Sequence, residues 1–80
     1  MIERLISGRM HYAVTPNDSA TLPLFSWLHI GGAGDVVVTG PNGVDATFKG
    51  LVAGQKLDVS GVKVKATGTT ATFIVAVMAS

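Results

Sequence analysis

Val62, Lys63, Val64, Lys65, Ala66 and Thr67 alternate apolar and polar, the period-two pattern of a strand with one wet face. Immediately downstream the pattern changes. In Thr72–Met78, Phe73, Val75 and Val77 fall on one side and Ile74, Ala76 and Met78 on the other, so both faces of the strand need cover. The run Leu24–Ile30 repeats this, with Leu24, Leu28 and Ile30 on one side and Phe25 and Trp27 on the other. No stretch of ten or more residues has helical periodicity. The β-branched runs predict strands over Met10–Val14, Leu24–Ile30, Asp35–Thr39, Asp45–Lys49, Lys56–Val59, Val62–Thr67 and Thr72–Met78.

Glycine and proline separate these runs with recognisable turn chemistry. Pro16 presets φ in "TPND", and "GGAG", "GPNG", "AGQ" and "SG" mark the remaining connections. "GPNG" reads as a hairpin connection in which Pro41 disfavours a strict two-residue turn. The expected fold is all-β, a small antiparallel β-sandwich or barrel of about six or seven short strands with an N-terminal arm. Residues 1–23 are expected to form the arm or lead-in segment, and residues 24–80 the β domain.

Size sharpens the question of what covers the second faces. A chain of 80 residues is one domain, near the size at which folding hides only roughly 60% of the unfolded surface. With no cysteine, neither a disulfide framework nor a thiolate metal site reinforces it. Hydrophobic residues make up 48% of the chain and charged ones only 14%, against a typical charged share of about 25%. That balance favours burial between subunits. The expectation is a symmetric homo-oligomer, a trimer, pentamer or hexamer, with Phe25, Trp27, Phe73, Ile74, Val75, Val77 and Met78 at the contacts between copies or with a larger shell.

Charge and hydropathy exclude other partners. A formal net charge of +1 with lysines spread over residues 49–65 is no nucleic-acid footprint. The longest apolar run, Phe73–Ala79, is too short to span a bilayer, and the charged opening "MIERLISGRMHY" has no signal-peptide core. Synthesis in a cytoplasm is expected, with no membrane partner.

Candidate chemistry is sparse. His11 and His29 lack a nearby glutamate or HxxxH spacing, which makes surface or interface roles the stronger reading over a ligand pair or general base. Asp18, Asp35, Asp45 and Asp58 sit at turns and strand edges, where aspartate bonds local backbone, and no DxDxDG calcium loop is present. "HIGGAGD" resembles a phosphate loop only superficially. A strand, Val36–Val38, follows it instead of a helix, so it reads as a hairpin connection. None of Ser7, Ser19, Ser26 and Ser60 lies in a GxSxG elbow. Tyr12 and Trp27 are candidates for stacking on a sugar or a base, weighed against core or interface positions, and without a basic groove a nucleic-acid platform is the weaker reading. No catalytic residue, metal or cofactor is expected.

The order of residues 28–78 adds a resemblance. Gly32-Ala33-Gly34-Asp35-Val36-Val37-Val38, then Thr47-Phe48-Lys49-Gly50-Leu51-Val52-Ala53-Gly54, and finally Val64-Lys65-Ala66-Thr67-Gly68-Thr69-Thr70-Ala71-Thr72-Phe73-Ile74-Val75-Ala76 occur in sequence. Together they resemble small structural proteins of tailed bacteriophages and gene transfer agents, a family that includes head spike base proteins. The resemblance implies a β-sandwich or barrel subunit, assembled into a ring or small oligomer and mounted on the virion, with the capsid surface as the expected location. Its expected partners are further copies, the major capsid protein or another virion protein, and a fibre. It implies no catalytic residues. The resulting expectation is a capsid decoration, cement or head spike base protein. Tail or baseplate duty, a small receptor- or carbohydrate-binding module, and a host-directed regulatory protein stand as alternatives.

Overall fold

The computed structural model describes residues 10–78. The opening "MIERLISGR" of the expected arm lies outside them. Seven strands form: β1 (Met10–Ala13), β2 (Trp27–Gly32), β3 (Gly34–Thr39), β4 (Asp45–Leu51), β5 (Gln55–Leu57), β6 (Lys63–Val64) and β7 (Thr72–Met78). They build two antiparallel sheets, ordered β1-β7-β2-β5 and β4-β3-β6. The fold is all-β, as the alternation predicts. Between sandwich and barrel the structure selects the sandwich, because no named strand of one sheet pairs with a named strand of the other.

Alternation explains which side chains meet between the sheets. From the first sheet come Leu28, Ile30, Ile74 and Ala76; from the second come Val36, Val38, Leu51 and Val64. Burying each Val, Leu or Ile among them contributes about 1.5–3 kcal/mol. With Phe25, Val14 and Ala71 they make up the core of the domain.

Residues 14–26 join the two sheets. Val14 still pairs with β7, its N–H donating to the Ile74 carbonyl. The chain then crosses to the second sheet, where the N–H groups of Asn17, Leu22 and Phe25 donate to the carbonyls of Val64, Val62 and Gly61, and it returns when the Ser26 N–H donates to Val77. Residues 10–23, expected as part of a lead-in, are therefore built into the sandwich. β1 forms one edge of the first sheet, and Val14 belongs to the core.

Two connections differ from expectation. "HIGGAGD" is no hairpin: β2 and β3 belong to different sheets, with only Ala33 between them. The glycines permit that corner by letting the backbone lie against β7. A Cβ on Gly34 would stand 2.5 Å from the Ala71 nitrogen, and Gly34 has φ +154°. The strand expected over Val62–Thr67 shortens to β6 because "KATGTTA" forms a loop that docks on β3. There the Thr69 and Thr70 hydroxyls accept from the N–H groups of Val37 (3.0 Å) and Asp35 (2.9 Å), and the Asp35 carbonyl accepts from Thr70 and Ala71. "GPNG" is a hairpin longer than two residues, closed by Gly43 N–H to Gly40 O and Gly40 N–H to Val44 O, each 2.9 Å.

Candidate functional site: an apolar sheet face

If Leu28, Ile30, Ile74 and Ala76 point inward, their neighbours along β2 and β7 must point outward. The register assembles those neighbours into two rows. One row is His11, Val77 and Trp27; the other is Ala13, Val75, His29 and Lys56. They surround a shallow depression of about 390 Å³ lined by His11, Trp27, His29, Val75 and Val77. The outer side of the second sheet is different, since the loop 65–71 lies over it close to Val37.

Within this face Trp27 is half-buried, with the Lys56 Nζ 4.7 Å from its ring centroid. The ammonium sits where the ring's negative face attracts it. Next along β7 stands Phe73, which is 84% exposed and has φ +52°. A bulky residue in the left-handed region is strained by roughly 1–2 kcal/mol, and strain of this kind concentrates where a side chain is being presented. Facing it is Gly31, where an added Cβ would lie 2.5 Å from the Phe73 Cβ. The aromatic ring thus projects beside a strand that offers no side chain of its own.

The residues expected at contacts separate into two groups. Trp27, Phe73, Val75 and Val77 share the outer side of the sheet, with Val77 only 5% exposed between its neighbours. Phe25 and Ile74, at 0% and 2% exposure, are core residues instead. Simple alternation puts Phe25 with Trp27, but Phe25 bridges to Gly61 beside the second sheet whereas Trp27 starts a strand of the first, so the alternation restarts at Ser26. Ile74 points inward because it pairs with Ile30. Met78 is half-buried and pairs with Met10, one position out of phase with Val77.

A second apolar feature opens at the far margin of the sandwich. Val38, Val44, Ala46, Phe48 and Val59, with Gly40, Asn42 and Ser60, line a groove of about 210 Å³ beside the β3–β4 hairpin. It exists because β4 is an edge strand whose inward side, at Ala46 and Phe48, is incompletely covered. The expected contact set missed this groove. The apolar positions Val44, Ala46 and Phe48, two apart, were its sequence signal.

The polar candidates have structural occupations. The Asp18 carboxylate accepts from the Thr67 N–H (2.9 Å) and hydroxyl (2.6 Å). Those bonds, led by the Thr67 hydroxyl, hold its carboxyl below the ordinary carboxylate range. Asp45 is also held low, first by the Thr39 hydroxyl and then by Lys65 at 3.4 Å. Asp35 accepts from the Gly50 N–H. Tyr12 donates to the Pro23 carbonyl at 2.6 Å, and burial pushes its phenol up. His11 and His29 are separated by β7, which pairs with both of their strands. Among the described residues, no three His, Cys, Asp or Glu side chains group as a metal site.

This sandwich has a solved counterpart. A chain in the structure described as "Capsid of native GTA particle computed with C5 symmetry" superposes with a TM-score of 0.75 and is 35% identical, covering 91% of this chain and 83% of its own length. The protein belongs to the same family as that component of the gene transfer agent capsid. No protein-family model matches the sequence, and no curated protein matches it. The match covers 91% of the chain and agrees with the resemblance carried by residues 28–78 as far as a component of a gene-transfer-agent particle.

Proposed function

We propose that this chain is a structural protein of a virion, of a tailed bacteriophage or a gene-transfer-agent-like particle, placed on the capsid surface as a decoration, cement or head spike base subunit. The observation that carries this reading is its 35% identity, over 91% of the chain, to a component of a gene transfer agent capsid.

Geometry supplies a physical means. Trp27, Phe73 and Val75 form an apolar outer face around Val77, which is only 5% exposed; covering a side chain as exposed as Phe73 there contributes on the order of 1.5–3 kcal/mol to an assembly contact, and the half-buried Trp27 and Val75 contribute less. The action is mechanical rather than catalytic: the subunit binds its own copies and the shell, and either bridges capsomers or anchors a fibre. Synthesis takes place in the host cytoplasm. A sugar-binding role is less well supported, since Lys56 already lies over the Trp27 ring and the Tyr12 hydroxyl is committed to Pro23.

Cryo-electron microscopy of particles made with and without the chain tests the reading. Loss of density from the capsid exterior is the expected result. Density lost only from the tail would replace capsid duty with a baseplate role, and unchanged particles would overturn the virion assignment.

A further inference from the structure

The β3–β4 hairpin brings together the two groups needed for a reaction of the chain on itself. Its loop is residues 41–43, with Gly40 and Val44 paired across the base, the Gly43 N–H donating back to the Gly40 carbonyl at 2.9 Å and Gly43 in the left-handed region at φ +82°. This is the arrangement of a three-residue hairpin loop whose last residue is left-handed. Asn42 lies within it, and its Oδ1 accepts from the Val44 N–H at 3.2 Å. That bond arches the asparagine carboxamide over the intervening Gly43 nitrogen, as in an Asx-turn.

From this arrangement we infer that Asn42 is a site of spontaneous deamidation, and that the closing bonds of the hairpin set its rate. The Gly43 nitrogen, after giving its proton to hydroxide, bonds to the Asn42 Cγ; the side-chain nitrogen takes a proton from water and leaves as ammonia. Water then opens the cyclic imide at either carbonyl, giving an aspartyl or isoaspartyl residue at position 42. The net change is one water consumed and one ammonia released, with no enzyme or oxidant involved. Gly43 favours the attack because it has no Cβ to stand between the nitrogen and the carboxamide. Both residues are exposed to the water and hydroxide that the reaction uses.

Asn17, the chain's other asparagine, is placed differently. Its Oδ1 accepts from two N–H groups, those of Ser19 (2.8 Å) and Ala20 (2.9 Å). The nitrogen that would attack it belongs to Asp18, whose carboxylate is anchored on Thr67 and opposes loss of a proton from its own amide. In the folded hairpin the Gly43 nitrogen is engaged too, since its N–H must first leave the Gly40 carbonyl. The reaction therefore draws on the opened hairpin, at a rate that follows how often it opens. The isoaspartyl product then keeps the hairpin open, because it inserts an extra backbone carbon into the loop across which Gly40 and Val44 pair. Asn42 also borders the groove beside the hairpin, so either product sets a carboxylate next to Val44 and Phe48. None of this depends on the virion reading.

Purified chain incubated in mildly alkaline buffer, either folded or unfolded in guanidinium chloride, gives the test. Fragmentation mass spectrometry follows each asparagine, and labelling by a protein isoaspartyl methyltransferase detects the isoaspartyl product. Asn42 is expected to convert ahead of Asn17 in both states, and at least tenfold more slowly in the folded chain than in the unfolded one. Pro41→Ala frees φ at the first loop residue, so it should raise the folded rate several-fold and leave the unfolded rate near the parent's. The isoaspartyl chain, separated by ion exchange, should melt below the parent, whereas Asn42→Asp, which carries the charge without the extra backbone carbon, should melt near it. An Asn42 that converts no faster than Asn17 in the unfolded chain overturns the site. Equal folded and unfolded rates overturn its control by the hairpin, and an isoaspartyl chain that melts with the parent overturns the opening of the hairpin by the product.

Discussion

Gly31 lies across from Phe73 with no space between them for a side chain: a Cβ at Gly31 would meet the Phe73 Cβ at 2.5 Å. Phe73 itself sits at φ +52° and is 84% exposed. Gly31→Ala must displace β7 backbone, so a loss of about 1–3 kcal/mol is expected from overpacking. Phe73→Asn should do the reverse in the isolated subunit, gaining about 0.5–1 kcal/mol, because asparagine tolerates the left-handed region better and little packing is lost. Urea midpoints measured at a concentration where the chain is monomeric check both. A Phe73→Asn chain less stable than the parent would contradict the strain argument.

Phe25 and Phe73 separate core from surface. Phe25 is fully buried and bridges to Gly61. Phe25→Ala is expected to cost about 3–5 kcal/mol, close to the whole stability of a small domain, and to leave a chain that fails to give cooperative unfolding. Phe73→Ala, at an exposed position, should stay within about 0.5 kcal/mol of the parent. Thermal melts of the two variants give the comparison directly.

These two phenylalanines also mark how far the sequence was legible. Strand positions follow from period-two alternation and glycine punctuation, and all seven expected runs overlap β1–β7. Alternation also separates Val75 and Val77 from Ala76. It fails at Phe25, because the chain changes sheets at Ser26 and parity cannot be carried through a bend. The β2–β3 corner was hidden for a related reason: glycines signal a break in a strand but not whether the next strand pairs with it or crosses to another sheet. The groove at Val44, Ala46 and Phe48 depends on β4 being an edge, a property of sheet order that no local pattern encodes.

Acid should loosen the β6–β7 loop. Asp18 and Asp45 have carboxyl groups held below their ordinary range, by the Thr67 hydroxyl and the Thr39 hydroxyl respectively. A depressed folded-state pKa gives stabilisation that is present above the unfolded carboxyl value, about 3.9, and lost as pH falls through the folded value. Stability is therefore expected to be flat above about pH 5 and to decline below it. Asp18→Asn keeps the side-chain shape and removes its titration, so its stability curve should fall less steeply in acid than the parent's. Urea melts between neutral and strongly acidic pH test this, and identical slopes would remove Asp18 from the account.

Lys56 shields one face of Trp27, with its Nζ 4.7 Å from the ring centroid. Lys56→Ala should cost about 0.5–1 kcal/mol of cation–π attraction at this partly exposed site. The indole then meets more water, and its fluorescence should shift to longer wavelength. Lys56→Arg preserves the cation over the ring and should leave the emission near that of the parent.

The outer sheet face yields the prediction that bears most directly on assembly. Val75 lies between Ala13 and His29 in the middle of that face, whereas Lys63 belongs to β6, at the edge of the other sheet. An aspartate at position 75 leaves folding contacts between the sheets in place but must be desolvated whenever the face is covered, a penalty of several kcal/mol unless it finds a partner. At position 63 it replaces one charged side chain by another. Val75→Asp should thus reduce incorporation into particles at least tenfold, and Lys63→Asp should have little effect, as read by quantitative mass spectrometry of purified virions. Ile74→Asp is a control of the opposite kind: its side chain is 2% exposed, so it should unfold the subunit before assembly is ever attempted. Incorporation of the Val75 and Lys63 variants to equal levels would mean that this face remains uncovered in the particle, and that its apolar residues serve the subunit alone.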